Sequence, residues 1–134
     1  MTDANKAANI RDELARAGTA LAAADVLAGE HLSSDAVSRL YYHLFYHVRA
    51  LLLTKGIEAR SHDGLLRLFG MHFVKSGAFP PDSAHIVSKL MKYRQEADYN
   101  PAHVFTEEDF TGLRREACDL AAAIRAHVAA AGYV

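Results

Sequence analysis

The chain has 134 residues, with fifteen basic and sixteen acidic side chains giving a formal net charge of −1. That length holds one core, and that charge excludes the strongly basic balance of a general nucleic-acid binder. A single cysteine, Cys118, excludes an internal disulfide and a cysteine zinc knuckle and suits a reducing, cytoplasmic setting.

Charges at Asp3, Lys6, Arg11, Asp12, Glu13 and Arg16 interrupt any signal-peptide core, and no apolar run approaches the ~20 residues of a spanning helix. No membrane role is expected. Residues 1–134 read as one domain of helices joined by tight links. From about Asp3 to Ala28, the spacing of Ile10, Leu14, Ala17, Leu21 and Ala24 follows the three-four rhythm of a buried helical stripe. Ser33 or Ser34 suits the cap of a second helix that ends near Lys55, before Gly56. Its stripe is Val37, Tyr41, Leu44, Val48 and Leu51, widened by Leu40, Tyr42, Phe45, Tyr46, Leu52 and Leu53. That is more apolar surface than one neighbour needs, so this helix is expected to touch several partners.

A shorter helix is expected from about His62 to Lys75, carrying Leu65, Leu66, Phe69 and Phe73 and closed by Gly77, Pro80 and Pro81. A fourth follows Asp82 or Ser83 and ends near Tyr99, because Pro101 disfavours helix at Asn100. The last opens at Thr106, with Asp109 in a capping-box position and Glu107 and Glu108 in its first turn. Its seam is Phe110, Leu113, Ala117, Leu120, Ile124 and Val128. The fold class is therefore all-α: an up-and-down antiparallel four-helix bundle with one additional short helix.

The fourth helix holds the anomaly. Ile86, Val87, Leu90, Met91, Tyr93 and Ala97 share one face, and Arg94 and Asp98 fall inside it. The opposite face, His85, Ser88, Lys89, Lys92, Gln95, Glu96 and Tyr99, is ordinary solvated surface. Buried charges must find partners or a wet cleft. Arg94 and Asp98 thus read as a structural i,i+4 ion pair or as part of a functional cleft.

His43 and His47 lie one turn apart, yet spacing fixes no third ligand and no Glu-x-x-His pair exists. They read as structural, and neither metal nor cofactor is expected. His62 reads as a capping or packing residue. Tyr41, Tyr42, Tyr46, Arg39, Arg49 and Arg60 read as core or, alternatively, as platforms and cations for nucleic acid, Arg49 and Arg60 being candidates to line the Arg94 cleft.

The run RLYYHLFYHVRALLLTKGIEARSHDGLLRLFGMHFVKSG, followed by LMKYRQEADYNP, resembles the HEPN domain family over about two-thirds of the chain. The resemblance rests on the aromatic-rich second helix, the Lys55-Gly56 end, His62 ahead of Phe69 and Phe73, and Arg94-x-x-Ala97-Asp98-Tyr99. It implies a homodimeric binding module paired with a minimal nucleotidyltransferase, in a toxin-antitoxin-like or nucleotide-linked system, with RNA or nucleotide as ligand. Active family members carry an Arg, four to six intervening residues and a His, and two such motifs meet in a dimer to cleave RNA without metal. The Arg would hold the phosphate and the His would move protons at the 2′-hydroxyl and the leaving oxygen.

Here Tyr99 stands where that His belongs, and His103 follows Arg94 only after eight intervening residues. The alternative implied activity is thus a ribonuclease using Arg94 with Asp98, Tyr99 or His103. Tyr99 is also the candidate for the tyrosine that a partner nucleotidyltransferase modifies in some toxin members.

Overall fold

The computed structural model describes residues 2–134. Its elements are α1 (Asp3–Gly29), α2 (Ser33–Leu53), α3 (His62–Phe69) continued by a π-helical turn (Gly70–Val74), α4 (Pro81–Tyr99) and α5 (Glu107–Ala130). The fold is all-α, with four long helices and one short one, as the patterning predicts. No helix is long and apolar enough to cross a membrane among the described residues.

The links are tight because each helix end is closed locally. At the end of α1, His31 takes a left-handed backbone (φ 63°), and the N–H groups of His31 and Leu32 bond to the carbonyls of Ala28 and Leu27. This is the double bond of a Schellman close, with His where Gly is usual. The His31 Nδ1 lies 2.6 Å from Glu107 Oε1, tying the turn to the start of α5. Gly56 (φ 71°) ends α2 in the same way, with Gly56 N–H bonded to Leu53 and Ile57 N–H to Leu52.

Two caps differ from expectation. Neither Ser33 nor Ser34 caps α2; Leu32 holds that position without a side-chain bond, and Ser34 Oγ instead accepts the Phe105 N–H at 3.3 Å. The α4 helix starts at Pro81 rather than after Asp82 or Ser83, because a Pro in the first turn has no N–H to leave unmet. The capping box of α5 is present: Thr106 Oγ1 accepts the Asp109 N–H (3.1 Å) and Asp109 accepts the Thr106 N–H (2.9 Å).

The α2 helix is the hub. It packs against α1, α3, α4 and α5, which accounts for an apolar sector wider than one neighbour requires. Tyr41, Leu40, Leu44, Val48, Leu51 and Leu52 are wholly buried along it, each contributing roughly 1.5–3 kcal/mol by removal from water. The expected α5 seam, from Phe110 to Val128, is buried throughout. On α1, Leu21 is only half-buried, while Glu13 is buried within the stripe. An Arg114–Asp25 pair with two hydrogen bonds of 2.8 and 2.9 Å clasps α5 to α1.

Candidate functional site

Arg94 lies in the contact between α4 and α2. The three-four spacing of α4 turns it toward the Val87 and Leu90 side, and its side chain is only 10% exposed. Its guanidinium carbon lies 5.4 Å from the centre of the Tyr41 ring and 5.9 Å from that of Tyr42. Such stacking suits Arg, whose planar cation is weakly hydrated. Asp98, one turn on, accepts from Nη1 at 3.3 Å. Its side chain is 29% exposed, so Asp98 stands at the rim while Arg94 is inside. The Arg94 Nε–H is buried with no protein partner, an unmet donor that costs stability unless something supplies an acceptor.

A second group reaches the same rings from a different element. The turn at Gly56 and the link to Ser61 deliver α3, whose cap is Ser61, with Oγ accepting the Gly64 N–H at 2.9 Å. His62 is therefore the first helical residue and not the cap. Its Nδ1 lies 2.6 Å from the Tyr41 hydroxyl, and its ring centre is 4.8 Å from that of Phe45 and 6.1 Å from that of Tyr42. Partial burial, with the Arg94 charge nearby, holds the His62 imidazole below its ordinary range. Burial pushes the Tyr41 phenol well up, so that it keeps its proton. In the tautomer in which the phenol donates to Nδ1, Nε2 carries the N–H of this half-buried ring.

The outward face of α2 continues this site. Arg39, Tyr42, Phe45, Tyr46 and Arg49 are all half-buried, with Arg39 over the Tyr42 ring (4.8 Å) and Arg49 over Phe45 (5.6 Å). Of the expected platforms only Tyr41 is wholly core.

The remaining candidates lie elsewhere. Tyr99 is 77% exposed at the end of α4. His103 sits on the link after α4, its ring 4.6 Å from Phe105, which in turn packs on Tyr93. Its nearest charged group is Glu96, at 3.9 Å. Arg49 touches the edge of this face at Phe45 but turns its guanidinium to Glu13, and Arg60 is exposed. They face a separate cleft of about 360 Å³ between α1, α2 and the link before α3, where Arg49 and Arg16 meet Glu13 at 3.4 and 3.6 Å.

The one-turn histidine pair is structural. His43 Nδ1–H donates to the Ala17 carbonyl (2.7 Å) and His47 Nδ1–H to the His43 carbonyl (2.8 Å), while His47 Nε2 accepts from Arg125 Nε (2.9 Å). Both nitrogens of His47 are thus engaged, and neither is available as a metal ligand.

A helical bundle with a buried arginine between its second and fourth helices is the class of protein this geometry defines. The family model described as HEPN domain matches residues 10–126. Among similar proteins, the "Putative toxin MJ0605" of Methanocaldococcus jannaschii is 37% identical over 97 residues, covering 72% of each chain. The same organism's "Putative toxin MJ0142" is 35% identical over 94 residues, 70% of this chain and 64% of its own. A Thermotoga maritima UPF0332 protein is 38% identical over 92 residues, 69% of each. The chain belongs to the HEPN domain family, and its similar members include proteins named as toxins.

Proposed function

We propose that this chain is the helical member of a toxin-type two-component system: a homodimeric binding module that pairs with a nucleotidyltransferase and takes a phosphate-bearing ligand, RNA or nucleotide, at Arg94. The observation that carries this reading is the end of α4. A buried guanidinium with an unmet N–H sits among aromatic rings, and five residues on, a phenol stands 77% exposed. A phenol is a poor proton shuttle near pH 7. An exposed one is well presented to an enzyme that transfers a nucleotidyl group. In that step the Tyr99 oxygen attacks the α-phosphorus of a nucleoside triphosphate, pyrophosphate leaves, and the phenolic proton is lost. Beyond Tyr42 and Phe45, the half-buried Arg39 and Tyr46 of α2 support the dimer, since aromatic and guanidinium groups are enriched at interfaces.

The test is to incubate the chain with its nucleotidyltransferase, a nucleoside triphosphate and magnesium. The expected result is a mass increase of one nucleotidyl group, absent in Tyr99→Phe. By sedimentation the chain is expected at twice its 14.7 kDa. An unmodified chain that sediments as a monomer would overturn the proposal.

A second reading, a metal-independent ribonuclease, is favoured by the Tyr41–His62 pair that shares its rings with Arg94. It predicts cleavage of single-stranded RNA in EDTA, lost in Arg94→Ala. His103→Ala is expected to retain that cleavage, because its ring packs on Phe105 and not on Tyr41, Tyr42 or His62. Cleavage lost in His103→Ala and kept in Arg94→Ala would reverse the assignment.

A further inference from the structure

The position five past Arg94 carries no imidazole, yet α3 brings one to the same rings. Tyr42 lies within 6.1 Å, centre to centre, of both the Arg94 guanidinium and the His62 imidazole. The Tyr41 hydroxyl fixes His62 at Nδ1 while the Tyr41 ring supports Arg94. Arg94 Nε is buried with no protein partner, and the half-buried His62 ring is held by the Tyr41 hydroxyl at Nδ1, the other ring nitrogen from Nε2. An unmet guanidinium N–H and an imidazole beside half-buried aromatic rings match the chemistry of a phosphate next to a base.

The placement of His62 is itself built. Ser61 Oγ accepts the Gly64 N–H at 2.9 Å, which caps α3 and sets His62 as its first residue.

We infer that His62 is the imidazole of the Arg94 site, and that His62 and Arg94 together hold the phosphodiester of a single-stranded nucleic-acid segment, with a base against Tyr42 and Phe45. This rests on the reading above that Arg94 takes a phosphate-bearing ligand; the assignment of His62 is additional to it.

A pH dependence follows. The groups around His62 are Tyr41 and Tyr42 from α2, Arg94 from α4 with its partner Asp98, and Asp63 on its own helix. Without ligand, burial and Arg94 disfavour the imidazolium. A phosphate between the two cations favours it, so binding takes up a proton and is tighter at pH 6 than at pH 8.

The experiment is titration of the full chain with a four-residue deoxyuridine oligomer, which lacks the 2′-hydroxyl needed for cleavage, while the histidine ring signals are followed by NMR. We expect the His62 signals to shift on binding and their titration midpoint to rise. His62→Gln should weaken binding roughly tenfold at pH 6 and flatten its pH dependence, the loss of about one charge-assisted hydrogen bond. Tyr41→Phe keeps the ring under Arg94 but frees Nδ1. It should shift the His62 midpoint and weaken binding by less, which covers the case in which His62→Gln does not fold. If saturating oligomer leaves the His62 signals unmoved while Arg94→Ala abolishes binding, the assignment of His62 fails and the phosphate reading stands. If the unaltered chain binds no oligomer at millimolar concentration, both fail.

Discussion

Arg94→Met should lose ligand binding, and any RNA cleavage, by at least ~100-fold, while staying within about 1 kcal/mol of the parent in stability. The reasoning is asymmetric between the two members of the ion pair. Methionine fills most of the space against Tyr41 and Tyr42 and removes a buried charge whose Nε–H is already unmet. The carboxylate it leaves behind is 29% exposed and can be rehydrated. Asp98→Ala does the opposite: it strands a guanidinium that is 10% exposed without its counter-charge, and should destabilise by about 1–3 kcal/mol. Thermal melts of both variants, beside binding and cleavage assays, separate the roles. An Arg94→Met chain that unfolds would show the arginine to be a structural clamp; one that folds and binds as the parent does would remove Arg94 from the site.

Arg94 was legible because a helix wheel needs only local spacing: a charge among Val87, Leu90 and Ala97 has to be explained wherever the helix packs. The four long helices, the α5 seam and its capping box were legible for the same reason. Glu13 carried a comparable signal, since it lies three residues past Ile10 and four before Ala17, inside the α1 stripe, and its burial against Arg49 and Arg16 follows. The Tyr41–His62 bond was not legible. It joins residues 21 apart across a link whose direction depends on the left-handed turn at Gly56 and the Ser61 cap, and no periodicity encodes that direction. The π-helical turn after Phe69 was equally hidden. Lys75 N–H bonds to Gly70 at 2.8 Å, a five-residue step within a run whose spacing reads as ordinary helix. Ser34 was misassigned because a serine before an apolar run is a cap by local rules, while a distant N–H, that of Phe105, took its oxygen.

Acid should loosen this fold between pH ~6.5 and 4, with His47 as the largest single cause. Burial, with the His43 ring and Arg125 adjacent, lowers the His47 pKa from 6.5 to about 4. Its Nε2 must stay unprotonated to accept the Arg125 N–H. In the unfolded chain the same imidazole takes its proton near 6.5, so below that value the unfolded state binds more protons than the folded one. The contribution is fully present above pH ~6.5 and is lost as pH falls toward 4, up to about 3 kcal/mol. His43, also held low by burial, acts with the same sign. Asp25, held low by Arg114, adds a smaller loss at lower pH, where an exposed pair counts for little. Glu13 opposes them: burial raises its pKa, so it takes a proton more readily folded than unfolded. Urea denaturation at several pH values between 7.5 and 4.5 measures the sum, and His47→Gln isolates the dominant part. Glutamine can still donate to the His43 carbonyl or accept from Arg125 but has no proton to gain. The variant should therefore lose most of the pH slope even where it costs stability at neutral pH. An unchanged slope would move the acid sensitivity to His43 and His62, the other imidazoles held low by burial, and leave the Arg125 contact with no part in it.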